Sequence, residues 1–183
     1  WEMMRKAELT GMTFARKYGG LNIPLTIMTM CGEIFTRGDA SFLNLGLQQD
    51  IGETLERFGS EEQKARIIPL LANGAEGSAM ILTEPDAGSD LQAVTLKATQ
   101  GADGKWLLSG VKRFITNGCG RIGLVLARSE DREGARGLSL FLYERDKHTR
   151  IRRVEEKLGI HGSPTCEMQF DNAPAELVGE RGR

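Results

Sequence analysis

The spacing of apolar residues divides the chain into two parts. Over residues 1–76 apolar side chains recur every three or four positions, the period of an amphipathic helix. Glu2–Lys17 alternates charged and apolar residues up to Tyr18-Gly19-Gly20, where the paired glycines predict a helix stop. Pro24 is placed to begin a second helix, with Leu25, Met28, Gly32 and Phe35 on one face and Gly32 admitting a close neighbour. From Ser41 a third helix is predicted by Leu43, Leu47, Ile51 and Leu55, ending at Gly59. Ser60 with Gln63 fits a capping box for a fourth helix, which Pro69 is expected to kink or end.

From Gly77 the period falls to two. Val94, Leu96 and Ala98 alternate with polar neighbours, and Asp103-Gly104 offers a tight turn before Trp106 and Leu108. Further strands are predicted over 124–128, 138–144, 150–155 and 165–170, where Cys166, Met168 and Phe170 share a face. Many short strands joined by turns indicate an antiparallel sandwich or barrel. The fold class expected is α+β, a helical domain over 1–76 followed by a β-barrel or sandwich domain over 77–183, with the boundary near 73–77.

Composition narrows the function classes. A formal charge of -1 over 183 residues, with no basic stripe, argues against nucleic acid or an anionic membrane as partner. No apolar run approaches the ~18 residues of a membrane span, and there is no signal-type N-terminus, so a cytoplasmic protein is expected. Cys31, Cys119 and Cys166 are odd in number and lack metal-ligand spacing; they are read as buried, reduced thiols, with no metal site. A chain that starts at Trp1 and stops in a charged, glycine-rich stretch is read as a fragment of a longer protein.

Two stretches carry the candidate chemistry. After the apolar run 79–82 comes TEPDAGSD, Thr83 to Asp90, where Pro85 removes a donor and Asp86, Gly88, Ser89 and Asp90 favour turns. Its amides are expected to face outward, where an anionic or carbonyl-rich ligand accepts from them. The second is KRFITNG, Lys112 to Gly118. If it is extended, Phe114 and Thr116 share one face and make a floor for a planar heterocycle, and Asn117-Gly118 carries a hairpin signal that ends the strand. Taken by themselves, Phe114 is as readily a core aromatic, and Thr83 and Thr116 ordinary strand residues.

The series AMILTEPDAGSD, DGKWLLSGVKRFITNG, LVLAR, GLSLFLYE and EEKLGIHGSPTCEMQFDNAPAELVGE, in that order from Tyr18 to Glu180, resembles the acyl-CoA dehydrogenase family, flavoenzymes that desaturate acyl thioesters. The resemblance implies FAD as cofactor. Met80 to Ser89 would wrap it, with Leu82 and Thr83 at the pyrimidine edge and Gly88 and Ser89 at the phosphates or the thioester. Phe114, Ile115 and Thr116 would lie along the flavin, the Thr116 hydroxyl bonding the ring nitrogen that accepts the hydride, and Ser89 would also meet the CoA portion of the substrate. Met80 stands where many members have Tyr or Phe and Phe114 where many have Trp, each keeping an apolar contact. Residues 43–49 correspond to a segment close to the acyl chain, and 159–165 to one near the flavin and the domain junction.

The family's catalytic glutamate belongs to a C-terminal helical domain, so no catalytic residue is named between Trp1 and Arg183, and Glu84 is read as structuring its loop. The implied partners are an acyl-CoA, an electron-transfer flavoprotein and further copies in a homo-oligomer, in fatty-acid β-oxidation in the cytoplasm or, in a eukaryote, the mitochondrial matrix. The isolated chain is expected to be inactive and to bind FAD weakly. An acyl-CoA oxidase using oxygen and a non-catalytic relative that has lost the base remain as alternatives. His161, Ser163 and Cys166 lie within six residues and are weighed as a hydrolase set, His148 is read as solvated, and 129–136 as an exposed hairpin tip.

Overall fold

The computed structural model describes residues 1–46 and 49–182. Two compact units are present: Trp1–Ser78 with Glu156–Ser163, and Ala79–Glu155 with Pro164–Arg183.

The first unit is helical: α1 (Glu2–Lys6), α2 (Leu25–Gly38), α3 (Ala40–Gly46), α4 (Gln49–Phe58) and α5 (Glu61–Ala72), with short 3₁₀ turns at Leu9–Gly11 and Arg16–Tyr18. The long first helix expected up to Lys17 stops at Lys6, because Glu8 takes a left-handed φ of 57° that no helix can pass through. The chain then folds back on itself. Asn22 N–H donates to Phe14 O at 2.9 Å and Ile23 N–H to Met12 O at 2.8 Å. This loop carries Phe14 into the core at 0 % exposure. A β-carbon at Gly52 of α4 would lie 2.4 Å from the Phe14 ring, so the ring packs directly on the helix backbone.

In α2, Met28 and Gly32 are buried as expected, and a β-carbon at Gly32 would sit 3.1 Å from Leu43 Cδ1 of α3. Leu25 departs from that face and is 64 % exposed. Of the predicted third-helix stripe, Ile51 and Leu55 are fully buried and Leu43 is half-buried, while Leu47 lies outside the described residues. The capping box at Ser60 is formed in both directions, at 3.2 and 3.0 Å. Pro69 does not end α5. It removes one backbone donor, but the helix runs only three residues further, and the Asn73 N–H closes it on Pro69 O.

The second unit contains β1 (Ser78–Ile81), β2 (Lys97–Gln100), β3 (Trp106–Thr116), β4 (Ile122–Arg128), β5 (Leu138–Glu144), β6 (Thr149–Val154) and β7 (Thr165–Val178). Strands β4, β2, β3, β7 and β5 follow one another and β5 pairs back with β4, which closes a barrel, with β1 attached to β4 and β6 to β7. The β2–β3, β3–β7, β4–β5, β5–β7 and β6–β7 pairings are antiparallel, and the short β2–β4 contact, Lys97 opposite Arg128, is parallel. Strand β7 runs well past the expected end at Phe170: it lies along β3 on one edge and along β6, then β5, on the other. Inside sit Leu96, Leu108, Val125, Phe141, Tyr143, Cys166, Met168 and Phe170, all nearly or fully buried. Trp106 meets Phe141 and Tyr143 meets Phe170 with ring centroids 5.2 Å apart. Asn117-Gly118 does end β3, but as a turn and not a hairpin, because β3 pairs with β2 and β7 and not with β4. Among the described residues no helix is long and apolar enough to cross a membrane.

Candidate functional site

The TEPDAGSD loop is pinned from inside. Just beyond β1, Glu84 and Ala87 exchange backbone hydrogen bonds of 2.8 and 3.3 Å, which folds the loop into a tight bridge. The Glu84 side chain turns inward and is 5 % exposed. Its Oε2 accepts from the Thr95 amide and hydroxyl at 2.8 and 2.7 Å, and its Oε1 accepts from the Leu96 amide at 2.9 Å and from Lys112 Nζ at 3.0 Å. Lys112, fully buried in the middle of β3, also donates to Leu82 O at 2.7 Å. The Arg113 amide donates to Thr83 O at 2.9 Å. The loop is thus strapped to the end of β3 at three successive residues, Leu82, Thr83 and Glu84. The outward amides expected along the whole loop are confined by this arrangement, since those of Glu84 and Ala87 donate to each other's carbonyl oxygens; Gly88 and Ser89 remain exposed.

Burial pushes the Glu84 carboxyl up, but the Thr95 and Leu96 amides, the Lys112 charge and the Thr95 hydroxyl together hold it below the ordinary value of 4.5. Burial pulls Lys112 down to about 8 against the raising influence of Glu84. A carboxylate whose folded pKa is lowered contributes stability above its unfolded pKa and loses it as pH falls through the folded one. The melting temperature is therefore expected to drop on acidification below about pH 4.5, and the drop to be smaller in Glu84→Gln. Melting curves of both proteins from pH 7 to pH 3 check this, and parallel curves would remove Glu84 from the acid response.

Strand β3 is irregular where it meets the loop. Register shifts between Lys112 and Ile115 as β3 runs along β7, and Phe114 sits in the bulge at φ 60°. Lys112 and Ile115, three apart, both point inward, which a regular strand does not allow. Phe114 is turned outward at 52 % exposure, Thr116 is half-buried, and the two flank the core residue Ile115. Because the Ile115 side chain belongs to the barrel core, any ligand contact there falls to its peptide groups. The Arg113 guanidinium lies 4.7 Å from the Phe114 ring centre. Arg113 is itself held by Glu155 at 3.2 Å and Glu167 at 3.7 Å, carboxylates that also take Arg153 and Arg152. An aromatic ring is therefore presented outward on a charged support, in a backbone conformation bulky residues seldom adopt.

The structure brings Leu82, Thr83, Gly88 and Phe114 into one patch: a β-carbon at Gly88 would lie 3.7 Å from Thr83 Cγ2, and the Arg113–Thr83 bond sets Phe114 beside it. Met80 is half-buried in β1, and Ser89 is exposed at the far end of the loop. Lys112 and Arg113, which organise the patch, carry no signal in the sequence beyond two cations in a strand. Near Asp90 a cleft of about 560 Å³ is lined by Gln92, Thr95, Arg128 and Arg132. Its Arg128 is spent on backbone carbonyls of Gln92, Val94 and Arg132.

The weaker candidates do not form a site. Cys166 is sealed in the barrel core, Ser163 is buried, and exposed His161 has its Nε2 2.6 Å from Lys157 O. No nucleophile and base meet there. His148 lies in a turn with Nδ1 3.2 Å from Asp171 O. Of the three cysteines only Cys166 is buried; Cys31 and Cys119 are half-buried, and all are free.

Comparison with known proteins gives a consistent picture. Residues 1–75 match the family model for the acyl-CoA dehydrogenase N-terminal domain, and residues 79–173 that for the acyl-CoA dehydrogenase middle domain. The chain is 38 % identical to the 3-methylmercaptopropionyl-CoA dehydrogenase of Ruegeria pomeroyi, with 90 % of this chain and 31 % of the relative aligned. It superposes on butyryl-CoA dehydrogenase from Megasphaera elsdenii with a TM-score of 0.93 at 29 % identity, covering 99 % of this chain and 51 % of that one. An acyl-CoA dehydrogenase from Bacillus anthracis, solved with FAD, gives 0.88 at 28 % identity, covering 99 % and 32 %. The chain spans about a third to a half of the length of these proteins.

Proposed function

The chain belongs to the acyl-CoA dehydrogenase family, and from that premise we propose that the full-length protein is an FAD-dependent acyl-CoA dehydrogenase converting an acyl-CoA thioester to the 2,3-enoyl-CoA. The observation that carries the reading is the strapped patch, in which Thr83 is bonded to the backbone beside an outward-facing Phe114. The residues fit the cofactor chemically. Leu82 and Phe114 offer apolar surface to a flat ring system, the Thr83 and Thr116 hydroxyls offer hydrogen bonds to its heteroatoms, and exposed Gly88 and Ser89 offer an amide-rich turn to a diphosphate. We assign Met80, half-buried in β1, and the Ile115 peptide groups to the same surface.

When bound, FAD supplies the redox step that the protein's own side chains lack. This chain's part is to hold and polarise. Thr116 and Thr83 would donate to the ring edge, Phe114 would keep water from its face, and Ser89 would position the thioester. Glu84 is no base here, because both its oxygens are already committed to Thr95, Leu96 and Lys112. The base belongs to the remainder of the full-length protein, which assembles as a homo-oligomer, and electrons leave to an electron-transfer flavoprotein in the cytoplasm or mitochondrial matrix.

The test is an anaerobic titration of the full-length protein with acyl-CoA thioesters of graded length, including sulfur-containing ones, followed by visible absorption. Bleaching of a flavin band by one class is expected and identifies the substrate. A protein that shows no flavin band after reconstitution with FAD would overturn the assignment of the site, and rapid oxygen uptake during turnover would make it an oxidase instead.

A further inference from the structure

Two of the three cysteines meet at the turn that ends β3. Ile115 pairs with Cys166 across the β3–β7 ladder. The chain then doubles back: the Gly118 amide donates to Ile115 O at 3.1 Å, and the Asn117 amide to Pro164 O at 2.6 Å. The fold is tight enough that a β-carbon on Gly118 would fall 2.8 Å from Cys166 Cβ. The next residue is Cys119, half-buried, whose thiol reaches Asn117 Oδ1 at 3.9 Å and which packs on the core cluster that contains Cys166. Burial raises the pKa of the Cys166 thiol, the nearby Cys119 thiol adds to the shift, and the Cys119 and Gly118 backbone groups oppose it. These two residues are 47 apart in sequence and adjacent in space, one facing the surface and the other sealed behind it.

We propose that Cys119 and Cys166 form a peroxide-responsive thiol pair that closes into a disulfide across the turn between β3 and β7. The half-buried position makes Cys119 the entry point, and Cys166, with no route to solvent, the resolving thiol. In the first step the Cys119 thiolate attacks one oxygen of hydrogen peroxide. An S–O bond forms, the O–O bond breaks, and hydroxide leaves to take up the proton that Cys119 released, giving a sulfenic acid and water. In the second, Cys166 attacks the sulfenic sulfur as it gives up its proton. The S–S bond forms, the S–O bond breaks, and the oxygen leaves as a second water. Two thiols are oxidised and one peroxide is reduced. The crosslink ties the Asn117–Gly120 turn, which begins one residue after Thr116, to the start of β7. The inference rests on the barrel geometry alone and stands whether or not the patch beside it binds a flavin.

The experiment uses the full-length protein, treated with hydrogen peroxide near stoichiometric amounts, with remaining thiols blocked by N-ethylmaleimide, and then digested for mass spectrometry. The expected product is a linked peptide pair containing Cys119 and Cys166, with Cys31 alkylated, two hydrogens lost from the intact mass, and full reversal by dithiothreitol. Cys119→Ser is expected to leave Cys166 unoxidised at the same dose, because peroxide has no direct path to it. Cys119 recovered as sulfinic acid with Cys166 still a free thiol, or oxidation confined to Cys31, would overturn the proposal. Oxidation of Cys166 in Cys119→Ser to the wild-type extent would do the same.

Discussion

Lys112→Met is expected to destabilise the barrel unit by about 3–5 kcal/mol, the scale of breaking a buried ion pair by removing one member. The lysine is fully buried and its ammonium bridges two groups of the loop, Leu82 O and Glu84 Oε1. Methionine fills a similar volume, so packing is nearly preserved and what is lost is electrostatic. Glu84 would stay charged in a dry place with only the Thr95 and Leu96 donors, and Leu82 O would lose its ammonium donor. The double variant Glu84→Gln with Lys112→Met removes the stranded charge and is expected to recover about half of the loss, since most of the cost of breaking half a buried pair is the unpaired charge left behind. Urea unfolding of Lys112→Met, Glu84→Gln and the double variant against the parent gives the cycle. A single variant as stable as the parent would show that the pair is dispensable, and the strapping of the loop would then rest on the Arg113–Thr83 backbone bond alone.

In the helical unit the largest effect is expected at Phe14. Truncation to alanine removes a fully buried ring and is expected to cost about 3–5 kcal/mol, the range for a buried aromatic that leaves a cavity behind. The cavity would have little chance to collapse, because one wall is the backbone of α4 at Gly52. The reciprocal change tests the same contact from the other side: Gly52→Ala places a methyl group 2.4 Å from the ring and is expected to cost about 1–3 kcal/mol by overpacking. Helical circular dichroism during denaturant unfolding reads both. If Phe14→Ala shifted the midpoint no more than a surface change does, the ring would not be the anchor of the loop between α1 and α2.

Much of this architecture can be read from local pattern, and its failures have local causes. The barrel strands follow the alternation of Cys166, Met168 and Phe170, or of Val94, Leu96 and Ala98, because one face of each is sealed. The end of β7 is hidden because Asn172 and Pro174 look like a turn. In the structure Asn172 takes φ 51° at a register shift, bonded to Ser109, and the strand continues beyond it to Val178. The first helix fails because Glu8 adopts a left-handed backbone angle that a glutamate in a helical pattern does not advertise. At the site, turn chemistry points to Thr83–Asp90 and the aromatic to Phe114, but the agents that join them are invisible. Lys112 and Glu84 are 28 residues apart, and a lysine inside a strand ordinarily signals the solvent face. The outward turn of Phe114 comes from a bulge and not from the alternation that suggested it.

The placement of β7 bears on how the chain reaches this state. It follows β1 to β6 in the chain, yet it supplies one edge to β3 and the other to β6 and β5. Until it arrives, β3 lacks one partner and β5 is anchored to β4 alone, so the ring stays open and its edges are free to pair with other chains. The helices of the first unit all lie before Asn73, and of that unit only the segment Glu156–Ser163 comes late in the chain. Assembly is thus ordered by topology: early helices, then a late and slow closure once residues beyond Thr165 are available to zip three ladders together.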